Sequence, residues 1–139
     1  MSISFKPASY STVSPYLIVD GAAETIEFLC QVFGAAVLRQ IFTETGKVKH
    51  SEVQIDDTVL MIADKQTDWP AISAHVHIYV KNVDDTYARA IELGAVSIQS
   101  PMQRDDPDRR AGVRDAGGTT WWIATKIESP RERLLTVYA

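Results

Sequence analysis

The apolar positions of this chain change period again and again, and the changes mark out its elements. Residues 13–19 read as a short buried strand. From 21 to 33 the apolar side chains Ala22, Ile26, Leu29, Val32 and Phe33 recur at helical spacing. Asp20 is the expected N-cap and Gly34 the glycine that ends the helix. Residues 36–43, 48–55 and 58–63 alternate or run apolar and read as strands, with turns at Thr45-Gly46 and Asp56-Asp57. The order then starts again: a strand at 74–80, a helix at 83–93 capped by Asn82 and closed by Gly94, and strands at 95–100, about 112–115, and 119–125.

The second half repeats the first, and equal spacing carries that inference. Val19 and Val80 are 61 residues apart, as are Thr25 and Thr86, Thr58 and Thr119, Ile62 and Ile123, and Ala63 and Ala124. Gly34-Ala35 and Gly94-Ala95 are 60 apart. The pattern predicts one α+β domain over residues 1–139, built from two βαβββ units at about 13–63 and 74–125. A linker containing Trp69-Pro70 joins them. Residues 127–139 form an extension outside the repeat, with Ser129-Pro130 opening a short helix. A helix covers only one face of each sheet, so the two open faces are expected to curl around a cleft.

At 139 residues the chain has the length of one ordinary domain, and 45% hydrophobic with 23% charged residues is ordinary for a globular protein. A net charge of −4 speaks against nucleic acid or a membrane surface as partner, because both need a concentrated basic face. The basic cluster from Arg104 to Arg114 is diluted by Asp105, Asp106, Asp108 and Asp115. The single cysteine, Cys30, has no intrachain partner and reads as a small buried hydrophobe. No apolar run approaches the ~18 residues of a membrane span. The opening MSISFKPASYS lacks the apolar core of a signal peptide, so a cytoplasmic location is expected.

Several motifs carry a resemblance. They are Pro15 to Glu24, Phe33-Gly34-Ala35, His50-Ser51-Glu52-Val53 and Val59 to Asp64 in the first half. In the second they are His77 to Val80, Asn82-Val83-Asp84, Leu93-Gly94-Ala95, Arg114-Asp115, Gly118 and Trp121 to Thr125. In these the chain resembles the vicinal oxygen chelate superfamily of glyoxalases, bleomycin-resistance proteins and extradiol dioxygenases, and within it the PhnB-like, glyoxalase-like branch. The resemblance implies the tandem fold but not an activity, since that superfamily hosts isomerases, dioxygenases, lyases, epimerases and drug-sequestering proteins.

Catalytic members hold a divalent metal with His, Glu, His and Glu from the first and last strands of each unit. Carried over, those positions fall on Ser14, Met61, His75 and Trp122. Serine is a poor ligand, Met suits Cu(I), and Trp has no usable lone pair. No metal cofactor is therefore expected at the usual site. A displaced divalent metal on His50, Glu52 and His75 is the alternative.

Alternate strand residues share a face. Val53 and Ile55 should pack on the helix, which turns His50, Glu52 and Gln54 into the cleft, and His75, His77 and Tyr79 follow by the same rule. The expected ligand-binding set is Tyr16, His50, Glu52, Gln54, Met61, His75, His77, Tyr79, Trp122 and Arg110. Ile18 and Thr120 share that surface, Trp121 should be core, and Trp69 is either a loop anchor or a lid. This composition suits a flat, partly apolar molecule. Arg110 could grip an anionic group, with Arg109 and Arg114 nearby on the same wall. Glu52 and His50 are also candidate catalytic residues, a partly buried Glu52 having a raised pKa and a histidine relaying its proton. The function expected is metal-independent binding of an aromatic or antibiotic-like small molecule by a homodimer. The alternatives are a lyase, isomerase or dioxygenase with a displaced metal or a Glu/His pair, and an interaction protein with no small ligand.

Overall fold

The computed structural model describes residues 4–105 and 107–127, so all of the expected C-terminal extension beyond Ile127 lies outside the described residues. Two compact units are present, one ending at Ile72 and the other beginning at Ser73.

In the first unit β1 (Tyr16–Val19) leads into α1 (Ala22–Phe33), followed by β2 (Ala36–Phe42), β3 (Val48–Ile55) and β4 (Thr58–Asp64). The sheet order is β1-β4-β3-β2, with β1 parallel to β4 and the other pairs antiparallel. In the second unit β5 (His75–Tyr79), α2 (Val83–Glu92), β6 (Val96–Gln103), β7 (Asp108–Arg114) and β8 (Thr120–Lys126) repeat that plan, in the order β5-β8-β7-β6. The class is α+β, with tandem βαβββ units as the spacing predicts.

Each unit buries one face of its sheet. α1 packs on β1, β3 and β4. Its buried stripe of Thr25, Ile26, Leu29 and Val32 meets strands whose buried side chains include Leu17, Val19, Val53 and Ile62. In the second unit α2 packs on β6, β7 and β8, over Val113, Trp121 and Ile123. Trp121 is core as expected, and its indole N–H donates to the buried Asp115 carboxylate at 2.9 Å.

Several element boundaries differ from the sequence reading, those of four strands among them. β1 starts at Tyr16 rather than at residue 13, because Val13 is exposed and Pro15 has no N–H to give a ladder. β5 is one residue shorter at each end. β6 runs on to Gln103 through Pro101, which an edge strand tolerates where the register slips between Gln99 and Met102. β7 begins at Asp108 because its ladder with β8 continues out to Lys126, and pairing overrides the charged sequence Asp-Arg-Arg.

The caps also divide. Asn82 accepts the Asp85 N–H as expected, and Gly34 and Gly94 take left-handed φ values of 68° and 99°. Asp20, however, does not cap α1. It is exposed and pairs with Lys65, while the cap position is Gly21. The first turn is held by Asp64 from the end of β4, which accepts the N–H groups of Gly21 and Ala22 on Oδ1 and of Val48 on Oδ2. Burial works to raise the Asp64 pKa, but the bonds from Ala22, Val48 and Gly21 together with Lys47 bring it below the ordinary carboxylate value.

Candidate functional site

The helix-free face of each sheet carries the chemistry, and the ladder registers set its rows. In the first unit Tyr16 lies beside Met61, Met61 beside Glu52, and Glu52 beside Arg39. Four side chains form a continuous hydrogen-bonded chain there. The Tyr16 hydroxyl is 2.7 Å from His50 Nδ1, His50 Nε2 is 2.8 Å from Glu52 Oε2, and the Tyr10 hydroxyl donates to Glu52 Oε1 at 2.5 Å. Glu52 is 8% exposed, so its carboxylate is nearly dry yet fully engaged. Its pKa is lowered, not raised. The hydrogen bonds from Tyr10 and His50 outweigh the desolvation that would favour the neutral acid, and His50 and Arg39 add attraction. The Tyr16 phenol is shifted the other way, by burial first and by the Glu52 charge second.

Tyr16 also forms the wall of an open hollow of about 360 Å³, lined by Ile18, Trp69, Pro70 and Ile72 as well. The Trp69 indole meets the Tyr16 ring edge-on at a centroid distance of 5.5 Å. Backbone bonds between Gln66 and Trp69 in both directions, and one from Ile72 N–H to Ile18 carbonyl, hold this segment against β1. Of the expected residues, Met61 is half-buried in the row beside Tyr16. Gln54 instead turns its amide toward the hairpin and donates to the Asp56 carbonyl.

In the second unit the matching row is His77, Trp122 and Gly112. A Cβ on Gly112 would come within 2.6 Å of the Trp122 ring, so the glycine leaves room for the indole to lie across the sheet. Trp122 donates its N–H to His75 Nδ1 at 3.1 Å, and the two rings are parallel within 8°. Further along, Arg110 reaches His77 Nε2 at 2.5 Å and Asp108 Oδ2 at 3.3 Å, and the Tyr79 hydroxyl donates to that same Asp108 oxygen at 2.6 Å. Arg109 and Arg114 are elsewhere: Arg109 forks onto Asp84 and Arg114 is exposed.

The metal positions can be tested on their donors. Ser14 shares a hydrogen bond with Ser11, Met61 and Trp122 offer no hard-ion ligand, and the Nδ1 of His75 takes the Trp122 N–H. These residues do not fit a divalent ion. Among the described residues, neither unit gathers three His, Cys, Asp or Glu side chains placed to hold one. His50 and Glu52 meet in the first unit, whereas His75 belongs to the second.

Sequence reasoning missed three participants. Tyr10 precedes the first repeat, in a segment without periodicity, and nothing in the pattern links it to Glu52. Asp108 reads as one more loop acid, yet it is buried and anchors Arg110 and Tyr79. Asp64 sits at a strand end, where its capping role depends on a fold in space. Cys30 is half-buried, and its thiol pKa is raised by burial and then by Glu27.

Comparison with known proteins agrees with this architecture. The chain is 28% identical over 138 residues to the uncharacterized protein Mb0911c of Mycobacterium bovis, covering 91% of this chain and 88% of that one. TioX from Micromonospora sp. ML1 superposes with a TM-score of 0.72 at 20% identity, over 84% of this chain and 98% of its own. TnmS3, an antibiotic binding protein from Streptomyces sp. CB03234, superposes with a TM-score of 0.65 at 17% identity, over 90% and 99%. Residues 11–123 match the family model of the glyoxalase/bleomycin resistance protein/dioxygenase superfamily, and the chain belongs to that superfamily.

Proposed function

We propose that this protein binds a flat, largely apolar small molecule of aromatic or antibiotic-like character without a metal ion. The observation that carries this reading is the hollow walled by Tyr16, Ile18, Trp69, Pro70 and Ile72, where two aromatic rings meet at a corner beside a polar edge. Aromatic walls with few polar groups suit ring stacking and burial of apolar area. The Trp122–His75 pair offers a second stacking surface in the other unit. The antibiotic binding protein among the structural relatives supports the same class of ligand. Lost metal-ligand chemistry at Ser14, Met61 and Trp122 supports metal independence.

A homodimer and a place in the PhnB-like branch belong to the same proposal. The edge strand β2 exposes Val37, Leu38, Ile41 and Phe42, and the edge strand β6 exposes Val96 and Ile98. Apolar edges of this kind favour burial against a second copy.

Titration with a panel of aromatic and glycopeptide antibiotics, read by tryptophan emission, tests the binding reading. Emission should shift for at least one compound class, and the Trp69→Phe and Trp122→Phe variants should assign the shift to a unit. A panel that leaves emission unchanged in the wild type contradicts it.

A further inference from the structure

Hydrogen-bond polarity at the edge of the hollow goes one step beyond the class of ligand. Glu52 is a nearly buried carboxylate, and an ionised carboxylate only accepts. Its Oε1 takes the Tyr10 hydroxyl, and its Oε2 lies 2.8 Å from His50 Nε2. That contact requires the proton on Nε2. In the neutral imidazole the other nitrogen, Nδ1, is then a bare acceptor. The hydroxyl of Tyr16, 2.7 Å away, must point its proton at Nδ1. The lone pairs of the Tyr16 oxygen are what remains, and no other hydrogen bond to that oxygen is formed among the described residues.

We infer that Glu52, acting through His50, fixes Tyr16 as a hydrogen-bond acceptor at the rim of the aromatic hollow, so that the site selects ligands bearing a hydroxyl, N–H or ammonium donor on an apolar ring. Tyr16 is the ligand-contacting group, and His50 and Glu52 are positioning residues. The inference rests on the binding reading above for the presence of a ligand, but the polarity of the chain can be checked without one. Removing a donor from the ligand leaves the tyrosine oxygen without that partner, which is how a fixed polar group discriminates between close analogues.

Two measurements test it. The first is the ¹⁵N shift pattern of the His50 ring in the free protein, at about pH 8, above the ordinary range of histidine. It should show protonated Nε2 and bare Nδ1, and Glu52→Gln should shift the ring toward the other tautomer because an amide can donate. The reverse tautomer in the wild type overturns the inference. The second compares indole with benzofuran, which has nearly the same shape but an oxygen in place of the N–H. Shifts of the Trp69 indole resonance report binding. Indole should bind about two- to tenfold more tightly, the range of one neutral hydrogen bond. Tyr16→Phe should erase that preference, and Glu52→Gln should raise the relative affinity of benzofuran. Equal affinities in the wild type, or a preference that survives in Tyr16→Phe, refute the polarity alone. Failure of both probes to bind at Trp69 removes the binding reading and this inference together.

Discussion

The two units have one backbone plan and two different helix-free faces. Where the first places Tyr16, Met61 and Glu52 across its sheet, the second places His77, Trp122 and Gly112 at the equivalent ladder positions. The first face is organised by a dry carboxylate that collects donors. In the second, a large indole lies flat over a glycine. The helix-covered faces diverge less: Val19 and Val80, and Ile62 and Ile123, stay identical. Packing against a helix restricts volume and shape, whereas an uncovered face is free to change its chemistry. A duplicated scaffold thus holds two distinct surfaces, and the ligand reading depends on that divergence.

The largest effect should come from the core of the second unit. Trp121→Ala removes a fully buried indole and leaves Asp115 Oδ2 without its donor, and it should cost about 3–5 kcal/mol of stability in denaturant unfolding. A cost below about 1 kcal/mol would show that the second unit contributes little to the cooperative transition.

Asp64→Ala should follow, at about 2–4 kcal/mol, since it removes the cap of α1 and leaves buried N–H groups of Ala22 and Val48 unpaired. Acid should sharpen the contrast. Asp64 and Glu52 both have folded-state pKa values below their ordinary ones, so the folded state binds fewer protons than the unfolded chain. Their stabilisation is present above the unfolded carboxylate range of about 4 and is lost as pH falls through the lower folded values. Amide protection in β3 and β4 should therefore drop as pH is lowered through that window, and protection that stays constant there would contradict the shifts.

Gly112→Ala should be milder, about 1–3 kcal/mol, because the new methyl must displace the Trp122 ring. The diagnostic is a change in Trp122 emission with Trp69 emission constant. At the small end, Arg109→Ala should leave the melting temperature and ligand affinity unchanged, since its pairing with Asp84 is a surface contact.

Much of this fold was legible because it rests on local signals. Helical periodicity at Ile26, Leu29 and Val32, left-handed glycines at 34 and 94, and the Asn82 cap each act within a few residues. The 61-residue spacing then tied the halves together. Strand alternation also turned His50 and Glu52 to the same face. The rest was set by contacts distant in sequence. Asp64 caps a helix 42 residues away, and Tyr10 reaches Glu52 across the same separation. Those bonds reverse two local expectations, the Asp20 cap and the raised Glu52 pKa. β7 was underestimated because ladder pairing, not propensity, holds Arg109 and Arg110 in a strand.

Calorimetric titration of chelator-treated protein with an antibiotic that shifts its tryptophan emission tests the central claim most directly. The account predicts the same affinity and enthalpy in excess chelator as in added Zn²⁺ or Mn²⁺. Binding that appears only once a divalent ion is restored would contradict it.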